Sequence, residues 1–332
     1  MAEWLCEAGI GETRAALIEG GRLVEMAVEW DDDGLRAGAI RPARLTRRAD
    51  ATGRGLVMTA CGVTAQLAPV PPDLAEGAAL MIEIVREAQP EAGGRKPPRA
   101  RIAPPGATAA PGPDLRARIT ASGLPVRLVG GDDDRLAAHG WDEALEEAAS
   151  GIIARPEAML RIALTPAMTL IDVDGGGAAA ALACAGARAA GAAIRLYDLA
   201  GSIGIDLPTM PGRADRQAAA AALDAVLPPP FERTAVNGFG FLQIVRRRVR
   251  PSLMDRLAAD PAGAAARALL RRAARAHGRG ALTLAAPPAV AARIATRADW
   301  LAALAAATGT PPVLREEPGL AISAGHAFRA FP

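Results

Sequence analysis

Lysine is almost missing from this sequence. Of 38 basic residues, Lys96 is the sole lysine and the rest are arginine. Chemistry that needs a lysine beside a reacting aspartate therefore has one candidate, far from the acids described below. Aromatic residues make up only 3% of the chain. The three cysteines, Cys6, Cys61 and Cys184, are odd in number, far apart and form no C-x-x-C pair, so neither a disulfide framework nor a structural zinc site is supported. His139, His277 and His326 have no partner at ligand spacing. No Walker loop or nucleophile elbow occurs. The blandest stretch, residues 175–194, is mostly alanine and glycine with Arg188 inside it, too weakly apolar for a bilayer span. Glu3, Glu7 and Glu12 are wrong for a secretory leader, so a cytoplasmic protein with no membrane partner is expected.

What the chain does have is length and apolar mass. Its 332 residues are 51% hydrophobic, ample for a large core and enough for two or three domains. Alanine supplies about a quarter of the chain. The Ala/Gly/Arg/Pro skew is that of GC-rich codons, so composition says little about function. The formal charge is only +2, because 36 acids offset the arginines. Any functional signal must lie in local placement.

Residues 3–30 read as a β-meander punctuated by Gly9-Ile10-Gly11 and Gly20-Gly21. Residues 35–103 hold about five short β-like runs, the pattern of a small barrel, with a basic, proline-containing loop over 93–101. Residues 104–114 are a linker by composition. Helix 114–122, strand 125–129, an acidic loop over 132–134 and helix 141–150 follow. Strand 167–172, Gly175-Gly176-Gly177, a helix to about Leu199 and strand 202–206 spell a βαβ unit with parallel strands. Beyond lie helix 214–227, strand 239–249 and helix 263–277, whose arginines read as its wet side. A small α/β module ends the chain, with strands at 282–285, 313–316 and 320–323 and a helix capped by Thr296 and Asp299 and stopped by Gly309.

Asp172 and Asp206 end successive parallel strands, so both carboxylates should emerge at the edge where α/β sheets bind ligands. Asp174 lies two residues beyond Asp172. Asp-Val-Asp-Gly alone is also what an ordinary strand end looks like; Asp206 at the matching position tips the reading towards a site. Acids so placed repel one another unless a hard divalent cation lies between them, and Mg²⁺ suits one or two carboxylates plus waters. Gly175-Gly176-Gly177 lacks dinucleotide spacing. Arg246, Arg248 and Arg250 continue a core strand on one face, with Arg247 on the other, an arrangement suited to phosphates.

Three segments in order carry a resemblance: Thr169-Leu170-Ile171-Asp172-Val173-Asp174-Gly175; residues 194–206, from Ile194-Arg195-Leu196-Tyr197-Asp198 to Ile205-Asp206; and residues 239–253, from Phe239-Gly240-Phe241-Leu242-Gln243 through Arg246-Arg247-Arg248 to Arg250-Pro251-Ser252-Leu253. Together they resemble the catalytic core of the bacterial ribonuclease E/G family. The stretch from Glu7 to Ala15 and the barrel-like region resemble it too. The resemblance implies an α/β (α+β) multidomain fold: a ribonuclease-H-like scaffold (1–33 and 114–160), an inserted OB-type RNA-binding barrel (34–103), a linker (104–113), a deoxyribonuclease-I-like catalytic subdomain (161–256), and a helical connector with a small C-terminal α/β domain (257–332). It implies a metal-dependent endoribonuclease in RNA processing or decay. A Mg-bound water would attack a phosphodiester of single-stranded RNA, giving 5′-phosphate and 3′-hydroxyl ends.

On that resemblance Asp172 and Asp206 hold Mg²⁺, with Mn²⁺ as a substitute, and Asp174 assists. Arg246 and Arg248 clamp the RNA backbone, joined by Arg250 and Arg233. The chain departs from the family in several places. Asp174 stands where asparagine is common, and Thr209 stands for a second acid. The zinc-linking cysteine pair is absent, so no zinc is expected and any oligomer would not be zinc-linked. The Arg-Thr pair of a 5′-end sensor is missing, and residues 35–103 contain no Phe, Tyr or Trp on which bases could stack. The alternative is a non-catalytic or weakly active RNA-binding relative of the same fold.

Overall fold

The computed structural model describes residues 1–91, 94–131 and 133–331. Gly93 and Asp132, which open the expected basic and acidic loops, lie outside the described residues. The chain starts with a meander, β1 (Ala2–Ala8), β2 (Glu12–Glu19) and β3 (Arg22–Trp30). Next come β4 (Ile40–Arg47), β5 (Gly55–Thr59), β6 (Thr64–Leu67), β7 (Ala79–Arg86), a hairpin of β8 (Gln89–Glu91) and β9 (Gly94–Lys96), and β10 (Arg99–Ile102). Helix α1 (Leu115–Thr120), strand β11 (Val126–Leu128) and helix α2 (Trp141–Ser150) follow. Then come β12 (Ile152–Ala154), β13 (Met159–Leu164), β14 (Thr169–Asp174), α3 (Ala179–Leu196), β15 (Gly201–Asp206), α4 (Arg213–Asp224), β16 (Glu232–Arg233) and β17 (Phe241–Arg246). The chain ends with α5 (Leu253–Ala259), α6 (Pro261–Ala274), β18 (Arg279–Ala286), α7 (Pro288–Ala295), α8 (Ala298–Thr308), β19 (Pro312–Glu316) and β20 (His326–Phe331).

These elements form two compact units: Met1–Asp32, Gly123–Ala149 and Arg256–Pro332 make one, and Asp33–Ser122 with Ser150–Asp255 make the other. The first contains a four-stranded sheet ordered β11-β1-β2-β3, in which β11 runs parallel to β1, and a three-stranded sheet ordered β19-β18-β20. Asp260 caps α6 by accepting the Gly263 amide at 2.8 Å, with Pro261 at the first helical position. Leu269, Leu270, Leu282, Leu284, Ile294 and Trp300 share one buried cluster.

The arginines of α6 are not its wet side. Arg267 and Arg271 are buried. Arg267 lies between the rings of Trp30 and Trp300, at 4.4 and 4.7 Å from their centroids. Its Nε donates to the Gly11 carbonyl at 2.9 Å and its Nη2 to Asp32 at 2.7 Å. Gly11 is left-handed, and a Cβ there would sit 2.6 Å from the Trp300 ring, so both the turn and the close approach require glycine. Arg271 pairs with Glu12 at 2.6 Å, and Arg14 pairs with Glu7 at 2.7 Å and Asp134 at 2.6 Å. Glu7, Glu12 and Arg14, three residues of the N-terminal family-like stretch, are thus structural. A buried guanidinium is tolerated only with such counter-charges and acceptors.

Two local expectations at the C-terminus are corrected. Thr296 and Asp299 do not form a capping box: α8 begins after Arg297, Thr296 donates to the Arg293 carbonyl, and Asp299 is held by Arg297. Residues 320–323 form turns rather than a strand, and the last strand is β20, paired with β18. Gly309 does stop α8, in the left-handed conformation.

In the second unit a closed barrel has the order β10-β6-β5-β4-β7. Alternation buries Leu45, Val57, Leu67, Ile82 and Ile84 inside it. β10 is parallel to β6 and antiparallel to β7. The way in and the way out meet at one clasp, where Ile40 and Ala110 exchange backbone hydrogen bonds of 2.9 and 3.0 Å and Arg41 donates to the Ala110 carbonyl at 2.7 Å. The other sheet is mixed, ordered β12-β13-β14-β15-β17-β16. Helix α3 lies on it: Gly186 meets Val173 of β14, where a Cβ would come within 2.3 Å. The run of small residues thus allows close helix–sheet packing. Among the described residues α3 is the one helix long and apolar enough, by length and composition, to cross a membrane.

All four tryptophans lie in the first unit, so their fluorescence reports on it. Arg267→Ala leaves the Gly11 carbonyl without its side-chain donor, empties the space between Trp30 and Trp300 and takes one of two guanidinium partners from Asp32, which keeps Arg293. It is expected to cost about 3 kcal/mol in a denaturant titration followed by tryptophan emission. Burial works to raise the Asp31 carboxyl, but hydrogen bonds from Arg297 and Trp300 prevail and hold it below its ordinary range. Burial is likewise outweighed at Asp134 by the Ala137 amide and Arg14. Because these folded-state values are depressed, their contribution is full above the unfolded value and lost as pH falls below about 4. The tryptophan-monitored melting temperature is expected to drop there, and Asp31→Asn to flatten the drop.

Candidate active site

Both aspartates lie where β14 and β15 end their ladder. The two strands are parallel and their last paired positions are Asp172 and Asp206. Adjacent strands are about 4.8 Å apart, so the two residues stand side by side on one face. Burial alternates along β14, with Thr169, Ile171 and Val173 facing α3 and Leu170, Asp172 and Asp174 on the open face. Asp172 and Asp206 are exposed. The β14 strand runs on to Asp174, so Asp172 lies one step inside its end rather than at it.

A row of register partners crosses the open face: Ile152, Arg161, Asp172, Asp206 and Phe241, one from each of five neighbouring strands. Arg161 is a site residue that the sequence reading missed. Its Nε donates to Asp174 Oδ2 at 3.2 Å. The third acid is therefore held by a guanidinium. Among the described residues no three acids, histidines or cysteines converge as a metal cage. Asp172 and Asp206 are the two exposed carboxylates that could share a cation, and a pair of carboxylates would suit Mg²⁺ or Mn²⁺ better than a metal wanting an all-protein shell.

Phe241 gives the site its other flank. A Cβ on Gly204 would lie 2.5 Å from the Phe241 ring and 3.1 Å from Leu170 Cδ2, so the ring lies over this glycine, two residues before Asp206 on the same strand. Phe239, in the turn before β17, is largely exposed. A flat aromatic face thus adjoins the acids, although the barrel has none. Thr209 donates to the Phe239 carbonyl at 3.3 Å.

The arginines predicted to bind RNA are mostly committed elsewhere. Arg246, the last residue of β17, falls on the helix-covered face and donates to the Leu199 carbonyl at 2.7 Å, beyond the end of α3. The strand stops there, so alternation does not carry to Arg248 and Arg250. Arg248 pairs with Asp255 at 2.7 Å. Arg250 is half-buried in the segment leading to α5. Arg233 clasps Asp224 with two nitrogens, its Nε at 2.7 Å, and that hydrogen bonding raises its pKa above the ordinary value. Of the candidate site residues, the fold brings Asp172, Asp174 and Asp206 together.

Two signals were present for what was missed. Leu160-Arg161-Ile162 has the alternation of a strand with one exposed arginine, and a glycine inside a strand, as at Gly204, marks close approach of another group. Comparison with protein-family models and with characterised protein sequences finds no match. Gly204→Ala is expected to displace the Phe241 ring and cost about 1–3 kcal/mol, read as a lower midpoint in urea by circular dichroism.

Proposed function

We propose that this chain is a Mg²⁺-dependent endoribonuclease of the ribonuclease E/G type, cutting single-stranded RNA. The observation that carries the reading is the in-register pair Asp172 and Asp206 on the open face of a sheet, flanked by an arginine and an aromatic ring. Other features support it. The closed barrel has its fifth strand, β10, between the third and fourth and parallel to the third, as expected of an OB-type module. The meander with its parallel fourth strand suits a ribonuclease-H-like scaffold, and the mixed sheet under α3 suits a deoxyribonuclease-I-like subdomain.

Asp172 and Asp206 would hold the cation, each through an exposed carboxylate. Bound there, Mg²⁺ would supply positive charge to a phosphodiester oxygen and make a water more acidic. The remaining tasks fall to the chain's own groups. Arg161, exposed beside Asp172, can meet a non-bridging phosphate oxygen while Asp174 fixes its direction. The Phe241 ring offers a face for a base next to the cleavage point, worth roughly 1–3 kcal/mol per stacked base. In-line attack forms a bond from water oxygen to phosphorus as the P–O3′ bond breaks. The 3′ oxygen takes up a proton, leaving 5′-phosphate and 3′-hydroxyl ends.

The test is incubation of a short unstructured RNA with the chain in Mg²⁺. Products with 5′-phosphate ends are expected, and Asp206→Asn should slow their formation by at least about 100-fold. Equal rates in the two proteins would sink the assignment. Salt-sensitive RNA binding with no product would instead indicate the non-catalytic relative, which the absence of aromatic residues in the barrel favours.

A further inference from the structure

Arg14, Arg267 and Arg271 are buried against carboxylates; at one place half-buried arginines meet each other. Arg86 ends β7 and Arg99 begins β10, and the two are direct partners across the antiparallel ladder. The next amide, that of Glu87, donates to the Val249 carbonyl at 2.8 Å, which brings the segment carrying Arg248 to the same barrel end. All three arginines are half-buried. The Nε atoms of Arg86, Arg99 and Arg248 are each buried without an acceptor.

Like charges opposite one another on a ladder are destabilising, more so when withdrawn from water. Burial depresses the Arg86 pKa below its ordinary value, and Arg99, Arg248 and Arg54 depress it further. Among the described residues neither Arg86 nor Arg99 has an ion-pair partner. Arg248 spends one nitrogen on Asp255. The neighbouring Glu87 accepts the Ala37 amide at 3.3 Å. Arg14, Arg267 and Arg271 each have a carboxylate within 2.7 Å. The contrast is with three guanidinium groups whose Nε atoms find no acceptor among the described residues.

We propose that Arg86, Arg99 and Arg248 form a phosphate-binding site at the end of the barrel, apart from the aspartate pair. Guanidinium forks match the several oxygens of a phosphate, and an anion among them offsets their mutual repulsion. The ligand is a phosphate group, either the free ion or a phosphodiester of an RNA strand. The site does not depend on the chain being a nuclease.

The experiment is done in EDTA, so that no cleavage enters. The full chain is titrated with inorganic phosphate at constant ionic strength and, separately, with a short RNA lacking a terminal phosphate. Melting temperature and calorimetric affinity are read. The phosphate ion should raise the melting temperature of the native chain. Arg86→Gln/Arg99→Gln should bind it at least about tenfold more weakly while melting no lower in phosphate-free buffer, because a repulsion has been removed. Arg99→Gln alone, a milder change, should show the same direction. RNA competing with phosphate for the native chain identifies a backbone phosphodiester as the ligand; phosphate binding without such competition identifies the free ion. Equal phosphate affinity in the native and variant chains, or no phosphate response in either, overturns the proposal.

Discussion

A charge taken out of water must find its counter-charge within the protein, and much of this structure is organised around that demand. Arg14, Arg267 and Arg271 are buried, and each is answered by acids from distant parts of the chain: Asp134 for Arg14, Asp32 for Arg267, Glu12 for Arg271. The first compact unit is drawn from three separate segments, and these pairs stitch them together. Arginine suits the task because its planar fork bonds several acceptors while its face lies on aromatic rings, as Arg267 does on Trp30 and Trp300. The near absence of lysine and the placing of all four tryptophans in one unit describe the same architecture. A buried ion network of this kind adds less net stability than its contacts suggest, but it penalises every arrangement that leaves one member unpaired.

The same demand explains why counting charges along the sequence misleads. Four arginines in five residues from Arg246 to Arg250 look like a reserve of positive charge for a polyanion. In the fold Arg246 serves the carbonyls at the end of α3, Arg248 serves Asp255, and Arg233 serves Asp224. The positive charge beside the acids comes instead from Arg161 on β13.

The βαβ unit, the meander and the barrel were legible in the sequence because alternation, glycine turns and a switch of period mark them directly. The side-by-side placing of Asp172 and Asp206 followed from parallel strands. What escaped had tertiary causes. The arginines of α6 repeat at helical spacing, which on its own reads as a solvated face; their burial depends on Trp30, Asp32 and Glu12, more than two hundred residues away. Strands β12 and β13 are short, and the exposed positions of β13 include Arg161 and Ala163, which give little strand signal. The Thr296–Asp299 spacing met the rule for a capping box, but Arg297 took Asp299 first. Leu320–Ser323 had the apolar content of a strand, yet the ladder beside β18 is filled by β20.

The clasp at Ile40 and Ala110 bears on how such a chain could arise. Because the barrel leaves its host where it entered, the two ends of the segment lie a single hydrogen-bonded step apart. A cassette with adjoining ends can be lost, gained or exchanged while the flanking chain keeps its course. The absence of aromatic residues from this barrel, in a chain where the half-buried Phe241 ring lies over Gly204 instead, is then a property of one replaceable part. The surface that contacts a nucleobase and the surface that contacts its backbone need not have the same ancestry.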